Sequence, residues 1–289
     1  MVIKLLKRAA IDVERWNSVV SKHGNGLVYA SSEYLDSVCN WQALILDDYQ
    51  YILPLPINKK LGLKYVYTPF LVQQLGVVGE NLTKEIEDAM LAAIPKGVKL
   101  VELSLNEESF QNDQYPNVLL DLTPSYDDLK KKYKTNLKRN LAKVGGDLSI
   151  KEVEIESLFK LFTEDKGDVV DWGENHLTMF KKLIGSVPCK WMIEGVYKSE
   201  SLLAGAVWLK TSSRLIFLFS GNTDEGRENK ALMYLIDEKI KEYSGQDLIL
   251  DFEGSSNEGL KRFYLNYGGK EVQYAKLNRY KFPINILKK

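Results

Sequence analysis

The chain has 289 residues, 45% of them apolar and 27% charged, which is the composition of a soluble globular protein long enough for two domains. Lys+Arg and Asp+Glu are both 39, so no global field draws the molecule to nucleic acid or an acidic membrane, and any such binding must come from a local patch. Two cysteines (Cys39, Cys189) and two histidines (His23, His176) exclude a Cys-rich metal site and supply little for histidine-based catalysis.

Charge at Lys4, Lys7 and Arg8 interrupts the N-terminus too early for a secretory core. No window approaches the roughly 18 uncharged apolar residues of a membrane span, so a cytoplasmic location is expected.

In chain order, the pattern predicts a strand over 2–6, a helix over 13–22, and a second helix opening near Ser31 as its N-cap. Strands over 41–46 and 51–56 flank a tight turn at 47–50, and another over 64–68 is stopped by Pro69. A helix over 83–94 and strands over 99–103 and 117–122 complete a mixed βαβ pattern. After Leu122-Thr123-Pro124-Ser125 a basic helix is expected to run to Val144, where Gly145-Gly146 stops it. A strand over 148–153 and helices over 155–163 and 176–184 follow. A hairpin pairs 190–197 with 202–210, and a strand covers 215–220. Helix 231–243 carries Leu232, Leu235, Ile236 and Ile240 on one face. A strand over 247–252, a helix over 259–267 and a strand over 271–277 end the chain. The two halves share a coarse plan, as two copies of one fold would.

The second-half order resembles the GNAT acetyltransferase fold, and the whole chain resembles its FemAB-like branch, which carries two GNAT domains in tandem. The resemblance rests on the basic run 133–140, on Asp251-Phe252-Glu253-Gly254-Ser255 followed by 259–263, and on the spacing of Asn257, Tyr264 and Gly268. It implies a mixed α/β fold with two GNAT-like domains, a degenerate copy over 1–123 and a donor-binding copy over 124–289. It also implies an acyl- or aminoacyl-transferase that uses acyl-CoA or aminoacyl-tRNA as donor and a small-molecule or peptide amine as acceptor. Binding of tRNA is then open, and neither DNA, a metal nor a membrane span is expected. The alternative is a non-catalytic GNAT-fold protein that binds a cell-wall or polysaccharide precursor or a protein partner.

A strand that ends in a glycine-rich turn and then opens a helix leaves N–H groups for an anion. The donor candidates are therefore Ser220, Gly221, Gly226, Arg227, Asn229, Lys230 and Ala231. In the GNAT pattern the position of Lys230 is glycine, so the departure trades close backbone approach for charge. By resemblance Tyr264 protonates the leaving thiolate and Asn257 meets the donor's pantetheine arm. Tyr264 equally suits an aromatic helix face, and Asn257 a helix N-cap. Strand alternation puts Asp251 and Glu253 on one face, where either can serve as base, cap the next helix or pair with Arg262. Among the substrate candidates, Lys138 and Arg139 lie on the basic helix, which is otherwise a solvated face. Trp172 sits in the acidic segment 164–175, which reads as a lid or a surface loop, and Gln73 offers an amide. An oxyanion donor is expected among the strand N–H groups near Phe219 to Gly221.

Overall fold

The computed structural model describes residues 1–167 and 171–280. Asp168, Val169 and Val170, part of the acidic segment read as a lid or a surface loop, lie outside the described residues. Two compact units are present. Among the described residues, one comprises Met1–Tyr115, Met179–Val187 and those from Gln273 to Tyr280; the other comprises those of Pro116–Thr178 and Pro188–Val272. The expected cut after Thr123 falls within the second of these.

The first unit opens with β1 (Ile3–Lys7), α1 (Val13–Lys22), α2 (Ser32–Val38), β2 (Trp41–Leu46), β3 (Tyr51–Lys60) and β4 (Leu63–Tyr67). It continues with β5 (Val78–Gly79), α3 (Lys84–Ala92) and β6 (Val98–Ser104). Side chains start its helices as the sequence suggests: Asp12 accepts from the Arg15 N–H, Ser31 from Tyr34 and Thr83 from Ile86. Strand β3 outruns its expected end because Ile57–Lys60 pair with β4. Its Pro54 and Pro56 fall between the β5 pairing at Tyr51 and Ile52 and the β4 pairing from Ile57, where a missing N–H breaks no ladder bond on that edge. Trp16, Tyr29, Tyr34, Leu44 and Leu53 are fully buried in its core.

The second unit contains β7 (Gln114–Asp121, from Pro116), α4 (Tyr126–Lys132), α5 (Thr135–Leu141), β8 (Leu148–Glu152), α6 (Ile155–Lys166) and the start of α7 (Glu174–Ser186). Then come β9 (Lys190–Lys198), β10 (Ser201–Lys210), β11 (Arg214–Asn222), α8 (Asp224–Glu228), α9 (Ala231–Tyr243), β12 (Ile249–Asp251) and α10 (Glu258–Leu265). Its core gathers Val118, Trp208, Phe217, Leu235, Ile240 and Tyr267. Strand β13 (Lys270–Tyr280) begins here and continues into the first unit.

The single basic helix expected from 125 to 144 is two helices. Tyr133 and Lys134 are extended between them, because the Tyr133 hydroxyl donates to Asp237 Oδ1 (2.9 Å) and the Lys134 N–H to the Asn266 carbonyl (2.9 Å). These tertiary bonds outweigh the helical propensity of the lysines. Tyr126 also donates to Asp237, at Oδ2 (2.9 Å), so one buried carboxylate on α9 fixes both ends of α4.

Both units have one topology. In the first, β1, β2, β3 and β4 form an antiparallel series, β6 adds parallel to β4 after α3, and β13 adds antiparallel to β6. In the second, β8, β9, β10 and β11 form the series, β12 adds parallel to β11 after α9, and β7 adds antiparallel to β12. The strand that closes the first unit, β13, therefore comes from the far end of the chain, whereas β7, which closes the second, opens that unit's own stretch. Helix α10 has no counterpart between β6 and β7. Among the described residues no helix is long and apolar enough to cross a membrane.

Candidate functional site

Strands β11 and β12 separate soon after they meet. Arg214, Leu215 and Ile216 pair with Ile249, Leu250 and Asp251; β12 then stops while β11 runs on to Asn222, still held by β10 on its other side. Residues 217–222 thus have a strand on one side only among the described residues. The same stretch contains a bulge: Trp208 faces Phe217 and Val207 faces Phe219, which leaves Leu218 as the extra residue. A bulge frees main-chain groups from the ladder and reverses the side-chain alternation. Phe217 accordingly meets Trp208, Phe252 and Tyr264, while Phe219 meets Phe162 and Trp172. Nothing in the sequence announces this bulge, because it shows only once the register is known.

The expected turn after β11 contains the one-turn helix α8, capped by Thr223, which accepts from the Gly226 N–H. Two of the glycines there serve packing. A Cβ on Gly221 would lie 2.8 Å from the Phe162 nitrogen of α6, and one on Gly226 would strike the Leu203 carbonyl. Ser220 is half-buried on β11 opposite Ala206, and the Asn229 amide donates to the Glu225 carbonyl (2.8 Å). Arg227 is held by the carboxylates of Asp165 and Asp224. Asp165 is 2% exposed and also accepts the Asn222 N–H (3.1 Å). Its importance could not be read from its place in an acidic segment.

Lys230 adopts φ +60°, the left-handed conformation natural to glycine, so the backbone there has the shape that a glycine would give. Its ammonium folds back onto the Arg227 carbonyl (3.1 Å). Helix α9 opens directly behind it with no side-chain cap and no acidic residue in its first turn. The N–H groups of Ala231, Leu232 and Met233 precede the first i→i−4 bond, from Tyr234 to Lys230, and so carry the positive end of the helix dipole. The corresponding helix of the first unit, α3, is capped by Thr83 and carries Glu85 and Glu87 in its first turn.

Tyr264 on α10 is 5% exposed, with its ring stacked on Phe252 (centroids 4.7 Å apart, 16° between planes) and edge-on to Phe217 (6.0 Å). Burial, and after it the charge of Glu253, pushes the phenol well above its ordinary pKa. It therefore remains a proton donor at neutral pH. Alternation does not extend from Asp251 to Glu253: β12 ends at Asp251, and Glu253 has φ +46°. Asp251 is 1% exposed and committed to Arg214 (2.7 Å) and the Asn117 amide (2.9 Å). Asn257 is the N-cap of α10 and accepts from the Gly259 and Leu260 N–H groups.

Of the substrate candidates, Trp172 lies against Phe162 (4.3 Å) and Phe219 (5.4 Å), beside the stretch of β11 that runs on past β12. Lys138 donates to the Lys131 carbonyl (2.9 Å), and Arg139 is exposed on α5. Gln73 belongs to the first unit, where it accepts from the Gln74 amide (2.7 Å). Among the described residues no group of His, Cys, Asp and Glu is placed to hold a metal.

No protein-family model matches the chain, and a search of curated proteins gives no match either. Solved structures do match. FemX aligns over 100% of both chains at 11% identity with a TM-score of 0.68. The chain has the tandem GNAT fold of the FemAB-like proteins. A tandem GNAT protein from the clavulanic acid biosynthesis pathway aligns at 10% identity over 98% of this chain and 99% of its own, TM-score 0.57. L-PGS from Bacillus licheniformis aligns at 12% identity over 94% and 93%, TM-score 0.51. At such identities the shared property is the GNAT fold, and the chemistry must be argued from the site.

Proposed function

We propose that the second GNAT unit is an acyl- or aminoacyl-transferase site that moves a group from an acyl-CoA or aminoacyl-tRNA donor to an amine. The observation that carries this reading is the opening of β11 from β12 beside an uncapped helix N-terminus, with a protonated phenol next to the separated strands. In it, the donor's phosphates lie on the N–H groups of Ala231, Leu232 and Met233. The carbonyl to be attacked lies against the bulged main chain at Leu218–Gly221, whose N–H groups stabilise the developing oxyanion.

A neutral amine attacks that carbonyl and forms the new C–N bond. Glu253 takes the amine's proton, directly or through water, since Asp251 is committed to Arg214. As the carbonyl re-forms, the C–S or C–O bond to the carrier breaks and Tyr264 gives its proton to the departing sulfur or oxygen. Trp172 and Phe219 bound the acyl side of the site. Arg139, with Lys138, meets the phosphate backbone where the carrier is tRNA. Location in the cytoplasm accords with either donor.

A specific observation favours the alternative of a non-catalytic binding protein: Arg227 is neutralised by two carboxylates, and Tyr264 is enclosed by aromatic rings. Thermal shift separates the two readings. Acetyl-CoA or an aminoacyl-tRNA should raise Tm, by the equivalent of about 2.7 kcal/mol at a hundredfold excess over Kd, while inorganic polyphosphate leaves it unchanged. A shift with one donor alone also names the donor. No shift with any acyl donor removes the transferase reading.

A further inference from the structure

The tip of the β3–β4 hairpin in the first unit has a chemistry that folding alone does not favour. Lys60 pairs with Leu63, so the connection is the two-residue turn Leu61-Gly62. Leu61 has φ +50° and Gly62 φ +82°, the left-handed pair that a tight hairpin turn demands. Asn, Asp or Gly takes the first of these positions at little cost, whereas leucine is strained there. Leu61 is also 79% exposed and its neighbour Leu63 39%. An apolar side chain that is both strained and solvated is a mark of function rather than of stability.

The charges on the hairpin tip and at the start of β6 are all of one sign. Lys59 stands directly opposite Lys64 in the ladder, a like-charge pair that weakens a hairpin unless an anion is at hand. Strand β6 runs parallel to β4 with Lys64 paired to Val98, so its beginning lies at the same end of the sheet and adds Lys96 and Lys99. Neither residues 57–67 nor residues 94–101 contain an Asp or Glu. The chain is neutral overall, and this is a local basic patch with an apolar point.

We propose that this hairpin tip docks on the surface of an anionic membrane. Leu61 and Leu63 enter the boundary between headgroups and acyl chains, and Lys59, Lys60, Lys64, Lys96 and Lys99 meet the lipid phosphates with their stems lying along the apolar layer. A nucleic acid would satisfy the lysines but leave the leucines in water. The bilayer satisfies both and gains from an apolar group whose burial the fold itself forgoes. The site is separate from the transferase reading and stands without it.

The test is flotation of the full chain with vesicles of phosphatidylcholine, alone or mixed with phosphatidylglycerol, in the absence and presence of a competing oligonucleotide. The protein should float with the anionic vesicles and not with pure phosphatidylcholine. Lys59→Gln should lower the partition coefficient about fivefold. Leu61→Asn should lower it about tenfold, with Tm unchanged or raised because asparagine suits the turn. Three results would overturn the proposal: no flotation with anionic vesicles, equal flotation of the wild type and Leu61→Asn, or oligonucleotide binding that outcompetes the vesicles and ignores Leu61.

Discussion

The Arg227 guanidinium is held by Asp165, a carboxylate 2% exposed at the end of α6. The cation expected to grip a donor phosphate is therefore first a structural tie between α6 and the loop after β11. Arg227→Ala would leave Asp165 buried with the Asn222 N–H and Lys166 as its remaining partners. A loss of about 1–2 kcal/mol is expected, since the arginine itself is half in water. Asp165→Asn keeps the N–H acceptor and should cost less. Chemical denaturation of both variants checks the order; equal stability of Arg227→Ala and wild type would show that the tie does not matter.

Lys230 occupies a left-handed position on which α9 is built. Lys230→Gly removes that strain, so stability should hold or rise by up to about 1 kcal/mol despite the greater freedom of an unfolded glycine. Donor affinity should also rise, because the backbone can then approach the phosphates more closely. Weaker donor binding by the glycine variant, measured by calorimetry, would instead make the lysine charge the more important contribution.

Asp237 joins Tyr126 and Tyr133 in a buried cluster. Burial raises its pKa against the opposing effect of the two phenol hydrogen bonds. The folded state then holds the Asp237 proton more tightly than the unfolded chain. This contribution is fully present below the ordinary aspartate range, near pH 4, and is lost as pH rises through the folded value. Asp237→Asn should flatten that part of the pH–stability curve. Asp237→Ala should cost about 2–3 kcal/mol at neutral pH by stranding the Tyr133 hydroxyl. An unchanged pH profile in the asparagine variant would contradict the assignment.

Tyr264→Phe preserves the stack on Phe252, so the variant should fold normally and bind donor as before. Turnover should fall by about 10²–10⁴-fold if the phenol is the acid. Because its pKa is raised, the wild-type rate should show no alkaline limb from this group until well above neutral pH. Full activity in the phenylalanine variant would leave Tyr264 as packing alone.

Much of the fold could be read from local signals. Asp12, Ser31, Thr83 and Asn257 each begin a helix where the sequence places one, and period-3.6 spacing gave α9 its full length. What escaped was set by distant partners. The break at Tyr133 answers to Asp237, 104 positions away, and the commitment of Asp251 to Asn117, 134 positions away. The Leu218 bulge exists only in the register of β10 on β11. Gly221 and Gly226 leave no room for a Cβ against α6 and β10, which the sequence does not show, since glycine in a loop looks the same whichever surface approaches it.

Backbone hydrogen exchange during titration with an acyl donor tests the transferase account most directly. It predicts slowed exchange at Leu218–Gly221 and at Ala231, Leu232 and Met233, with α3 and the first-unit strands unaffected. Donor binding that protects other amides while these exchange at their free rates would contradict it.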